Sequence, residues 1–65
     1  MKVVANNLLR LRKANSLSQI ELARKAKLSL PYVCLIENGR VKNITIKTLQ
    51  RITDTLSVDL IELFK

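Results

Sequence analysis

Residues 18–39, SQIELARKAKLSLPYVCLIENG, decide how this 65-residue chain is read, because they spell two short helices joined by a tight turn. Ser18 with Glu21 three positions on forms a Ser-x-x-Glu capping box. In such a box the serine oxygen covers one of the N–H groups that a helix start leaves unpaired, and the glutamate covers another. Leu22, Ala23 and Ala26 then recur at helical spacing. A second start follows at Ser29, with Val33 and Ile36 inward at i, i+3 and Gly39 as the stop. The spacing predicts helices over about 18–26 and 29–38 with a turn of three or four residues between them, the helix-turn-helix layout. In that layout the second helix can lie in the major groove of duplex DNA.

Outward from this pair the same logic continues. A first helix is expected from about Val3 to Asn15, with Val4, Leu8 and Leu11 on one face and the cations Arg10, Arg12 and Lys13 near its C-terminal, negative end. Asn15 and Ser16 form the break. A fourth helix is expected from Thr45 as cap to about Leu56, burying Ile46, Leu49, Ile52 and Leu56. Asp59 with Glu62 resembles a second capping box, opening a short fifth helix that carries Leu60, Ile61, Leu63 and Phe64. No repeat, linker or low-complexity segment interrupts the pattern. The expectation is an all-α, compact five-helix fold over residues 1–65 as one domain, with the helix-turn-helix at helices two and three.

A chain this short buries only about 60% of the surface it exposes when unfolded, so modest stability is expected. One cysteine allows no internal disulfide, and the absence of histidine excludes a His-bearing zinc site. The net charge is +7, and its distribution is the stronger clue. Residues 1–27 carry seven Lys or Arg against Glu21, residues 28–51 four against Glu37, and residues 52–65 one against three acids, so the three segments hold +6, +3 and −2. A polyanion engaging the first two thirds follows from that map. The short Met-Lys-Val-Val-Ala start lacks a signal-type apolar core, and no run approaches the ~18 apolar residues that span a bilayer. A cytoplasmic, nucleoid-associated protein is the default expectation, with no membrane partner.

The spelling also resembles a known family. Leu17-Ser18-Gln19-x-Glu21-Leu22-Ala23, then Leu28-Ser29, then Tyr32-Val33-x-x-Ile36-Glu37-Asn38-Gly39-Arg40, is similar to the helix-turn-helix of lambda-repressor-like proteins, the phage Cro and repressor type or XRE family. The likeness runs from about residue 8 to 64, through Leu11-Arg12 upstream and Thr45-Ile46-x-Thr48-Leu49, Leu56-x-Val58 and Glu62-Leu63-Phe64 downstream. It implies sequence-specific binding of double-stranded DNA and transcriptional regulation, repressor-type, as a homodimer. It implies an ion pair between Arg12 and Glu37. The resemblance breaks at Lys27, where the family's turn carries glycine. Either the lysine takes a left-handed conformation at roughly 1 kcal/mol, or the turn has another geometry. Pro31 sits in the first turn of helix three, where its missing N–H is harmless. The residue before proline avoids helical angles, so the cap is Ser29 or Leu30.

Phosphate contacts supply most DNA affinity and set register. By resemblance Gln19, at a helix start that favours anions, binds a backbone phosphate and braces the recognition helix. Asn38, Arg40, Lys42 and Asn43 form a second backbone clamp, though Asn38 is equally read as a helix C-cap. By the same resemblance, the positions that face the bases are expected to be Ser29, Leu30, Pro31, Tyr32 and Leu35. Two leucines and a proline stand where groups that bond bidentately to guanine or adenine are common, so specificity leans on Ser29, on apolar contacts with thymine and on DNA shape. Tyr32 either reaches the DNA through its hydroxyl or covers the core with its ring. The same apolar patch, with Cys34 adjacent, supports a rival: a protein-interaction module, such as an antitoxin or regulator's partner, docking through helix three. Cys34 itself is read as a small side chain at the edge of the core or groove. An enzyme is the remote reading, since nothing assembles a catalytic site, and no cofactor, metal or small-molecule ligand is evident. Ile61, Leu63 and Phe64 are the expected dimer interface for binding two half-sites about 34 Å apart, against the plainer reading that Leu63 and Phe64 close the monomer core.

Overall fold

The computed structural model describes residues 2–65. Four α-helices follow in order, α1 Lys2–Ala14, α2 Gln19–Ala26, α3 Leu30–Glu37 and α4 Ile46–Leu56, and a 3-10 segment Leu60–Leu63 closes the chain. Among the described residues there is no strand, and no helix is long and apolar enough to cross a membrane. The fold class is all-α, but the expected fifth α-helix is a 3-10 turn.

The helix starts follow from side-chain oxygens. Ser18 Oγ accepts from the Glu21 N–H at 3.1 Å while Glu21 Oε1 accepts from the Ser18 N–H at 2.9 Å, a complete capping box. Thr45 Oγ1 accepts from the Thr48 N–H at 3.2 Å. Ser29 Oγ accepts from the Tyr32 N–H at 3.2 Å, so Ser29 is the cap and Leu30 is helical despite preceding Pro31. The cap bond and the buried Val33 and Ile36 outweigh the pre-proline preference for extended backbone.

All four α-helices stop in one way. A residue at positive φ follows each last turn: Ser16 (57°), Lys27 (60°), Gly39 (70°) and Ser57 (57°). The next N–H then bonds five residues back, Leu17 to Arg12, Leu28 to Ala23, Arg40 to Leu35 and Val58 to Thr53, at 2.8–3.1 Å. This is the Schellman closure, and only one of the four uses glycine. Lys27 therefore does take the left-handed conformation. In three of the four, the residue after the reversal (Leu17, Leu28, Val58) packs on the core, and that burial offsets the backbone strain.

Val4, Leu8 and Leu11 of α1, Leu22, Ala23 and Ala26 of α2, Val33 and Ile36 of α3, and Leu49, Ile52 and Leu56 of α4 meet with Leu63 in one core. Ile46 was expected there and is instead 63% exposed. It is the first helical residue of α4, and side chains lean toward the helix N-terminus, so it projects past the end of the core. Asp59 makes no side-chain cap bond, because the Glu62 N–H it would cap donates to the Asp59 carbonyl; the Glu62 carboxylate, which a capping box would turn back to Asp59, pairs with Lys65 Nζ at 2.9 Å. In a 3-10 segment residues i and i+3 align. Leu60 and Leu63 thus face inward while Ile61 and Phe64 stay exposed. Asn7 Nδ2 donates to the Leu63 carbonyl at 2.9 Å and ties this end to α1.

Candidate nucleic-acid interface

Behind α3 lies a polar lock joining three helices. Arg12 on α1 donates from Nε to Glu37 Oε2 at 2.6 Å and from Nη2 to Glu37 Oε1 at 3.1 Å, a bidentate pair, and from Nη1 to the Leu17 carbonyl at 2.8 Å. The Arg12 and Glu37 side chains are only 11% and 5% exposed. Gln19 Nε2 donates to the same Glu37 Oε1 at 3.0 Å, and Gln19 Oε1 accepts from the Cys34 thiol at 3.3 Å. No buried side-chain N or O among the described residues lacks a partner. A satisfied buried network of this kind fixes the angle between elements, because each alternative arrangement leaves a charge or amide unpaired. The angle fixed here is that of α3 against α1 and α2.

The opposite side of α3 is open. Val33 and Ile36 point into the core, while Leu30, Pro31 and Leu35 are exposed. Ser29 is exposed too, its oxygen already engaged as the cap. Tyr32 is half-buried and its ring packs against the core. Past the helix, Asn38 occupies the C-cap, its backbone N–H bonding the Cys34 and Ile36 carbonyls while its side chain faces solvent. Arg40, Lys42 and Asn43 follow in the exposed loop before α4. Gln19 stands at the first position of α2 with one amide N–H committed to Glu37, and the second N–H of that NH₂ group stays available to an anion.

The C-terminal trio is divided. Leu63 is wholly buried in the core and is unavailable to a partner, which corrects its expected place in a dimer interface. Ile61 and Phe64 remain exposed. Sequence reasoning also passed over Ile20, exposed on the first turn of α2, although its position outside the inward set Leu22, Ala23, Ala26 was the available signal. The Gln19–Cys34 contact had no such signal, since it joins residues 15 apart on different helices.

Among the carboxylates, Glu21 has its pKa lowered, first by the hydrogen bond from the Ser18 backbone and then by the Ser18 hydroxyl, with Lys25 and Arg24 adding to it. An open groove of about 460 Å³ between the end of α2 and α4 is lined by Lys25, Ala26, Lys27, Arg51, Asp54 and Thr55, and takes no residue from α3. The exposed side of α3 is a ridge, so a partner for it must supply the concavity. A family model described as helix-turn-helix matches residues 8–63 of the chain. No curated protein and no solved structure matches it.

Proposed function

The chain belongs to the lambda-repressor-like, XRE-type family of helix-turn-helix DNA-binding regulators, and from that premise we propose that it represses transcription by occupying an operator as a homodimer. In this reading α3 lies in the major groove with Ser29, Leu30, Pro31, Tyr32 and Leu35 toward the bases. Gln19, Asn38, Arg40, Lys42 and Asn43 hold phosphates on either side. The observation that carries it is the two-sidedness of α3: locked behind by the Arg12–Glu37–Gln19 contacts and open in front. A ridge held at a fixed angle enters a groove without an ordering cost at the moment of binding. Cations concentrated in residues 1–51, at a net +9, provide the attraction and counterion release that bring duplex DNA to it.

Two copies are needed because one short helix reads too few base pairs to be selective. Ile61 and Phe64, exposed on the acidic C-terminal segment, are the proposed contact between them, setting two recognition helices about 34 Å apart on successive major grooves. Bound there, the dimer acts at the nucleoid by denying the promoter to polymerase. Repeated selection of random duplexes by the purified protein, with sizing in solution, tests this: a two-fold symmetric site must be enriched. The apolar front of α3 favours one rival, a protein-docking module, and that rival enriches no duplex.

A further inference from the structure

Resting on the reading that this chain binds duplex DNA, we propose that α3 recognises its half-site chiefly through thymine methyl groups, with Pro31 and Leu35 as the reading pair and Leu30 beside them. At 100° per residue, Pro31, Leu35 and Asn38 fall within an arc of about 60° opposite the buried Val33 and Ile36. The front of the first two turns is therefore apolar. Of the polar side chains at α3 that could read a base edge bidentately, only the exposed Asn38 amide, past the last turn, is not engaged elsewhere. The Gln19 amide is held by Glu37 and Cys34, the Glu37 carboxylate is enclosed by Arg12 and Gln19, and the Cys34 thiol faces Gln19. Ser29 retains a single O–H beyond its cap bond. Asn38 comes only at the end of the helix.

A ridge of this composition gains nothing from guanine or adenine edges, whose donors and acceptors it would strip of water without replacing. The thymine C5-methyl is the apolar feature that the major groove displays, and it sits on the rim where a leucine side chain reaches it. Leu30 and Leu35 are 37% and 43% exposed, so both hold apolar surface to bury there. The exposed Arg40 and Lys42 that follow the helix set cationic groups beside the apolar ridge, matching phosphates beside methyls rather than the apolar face of another protein.

The test begins with the duplex enriched from the random pool. Each thymine of the half-site is replaced in turn by deoxyuridine, which removes the methyl and leaves pairing unchanged. At one or more thymines the substitution should weaken binding about fourfold, the cost of one unburied methyl group. For Leu35→Ala or Pro31→Ala, the penalty at that thymine should fall below about twofold, taken as the ratio between thymine and uracil duplexes on the same folded variant so that any change in its stability cancels. A half-site without thymine, or one in which every uracil duplex binds as tightly as its parent, overturns thymine reading while leaving DNA binding intact. Failure to enrich any duplex, together with absence of salt-dependent retention on DNA, overturns the reading beneath it.

Discussion

Replacing Glu37 by glutamine should cost this small protein a large part of its stability. The Glu37 carboxylate is 5% exposed and accepts three hydrogen bonds, two from Arg12 at 2.6 and 3.1 Å and one from Gln19 at 3.0 Å. An amide of the same shape has one acceptor oxygen, and its NH₂ must face donors on Arg12 or Gln19. Removing one partner of a buried pair typically costs about 3–5 kcal/mol, because the other charge is left uncompensated. Arg12 keeps its bond to the Leu17 carbonyl and 11% of its side-chain surface, which lowers the expected loss to about 2–4 kcal/mol. A chain of this size holds roughly 3–10 kcal/mol in all. At about 4–8 °C per kcal/mol, the thermal midpoint of Glu37→Gln should fall by about 8–32 °C. Circular dichroism at 222 nm on heating, paired with urea titration, measures it. The double variant Arg12→Met with Glu37→Leu should recover to within about 1 kcal/mol of wild type, since an apolar pair leaves no orphaned charge. A loss below about 1 kcal/mol for Glu37→Gln, the value of an exposed ion pair, would refute the argument that this lock orders the three helices.

Four further outcomes are expected. Lys27→Gly should stabilise the fold by about 0.5–1 kcal/mol, since relief of a left-handed lysine outweighs the added freedom of the unfolded chain; a lower thermal midpoint would contradict the αL assignment. The depressed pKa of Glu21 adds stability that is present above the ordinary carboxylate range and is lost as pH falls through the lower, folded value. Glu21→Gln, which keeps a capping acceptor but cannot titrate, should therefore show a shallower loss of thermal midpoint between about pH 5 and 3 than wild type. Arg40→Ala and Lys42→Ala should each weaken binding to all duplexes alike and reduce the slope of log affinity against log salt by about one unit; an unchanged slope would remove that residue from the phosphate clamp. Ile61→Ser with Phe64→Ser should shift the protein from dimer to monomer in analytical ultracentrifugation while its helical circular dichroism at about 25 °C stays intact, because both side chains lie outside the core, and the thermal midpoint should lose its dependence on protein concentration. An intact dimer would place the interface elsewhere.

Much of the fold was legible because its signals are local. Ser18 with Glu21, Ser29 and Thr45 mark three helix starts through bonds that span three residues, and the breaks at Ser16, Lys27, Gly39 and Ser57 follow the last apolar residue of each period. Leu8, Leu22, Ile36 and Leu49 read as core from spacing alone and are wholly or almost wholly buried. Misreadings cluster where periodicity has too few residues to act on. Ile46 belongs to a correct stripe but stands before the first turn that could cover it. Leu60–Leu63 is too short to distinguish a period of 3.0 from one of 3.6, and that difference decides which of Ile61, Leu63 and Phe64 is buried.

By itself, then, the sequence determined what is decided within four or five residues of chain: the four α-helices, the Ser18 and Thr45 caps, the inward faces apart from Ile46, and the segregation of positive charge away from the C-terminal end. Tertiary structure alone decided which polar groups are spent holding the frame and which stay free to meet a partner. Gln19, Cys34 and Glu37 look equally available along the chain, yet all three turn toward one another once α1, α2 and α3 close on the core. The physical reason is desolvation. Closing the core buries the Glu37 carboxylate, a buried charge must be paired, and the donors recruited to pair it, the Arg12 guanidinium and one N–H of Gln19, are turned away from the surface that Leu30, Pro31 and Leu35 are left to define.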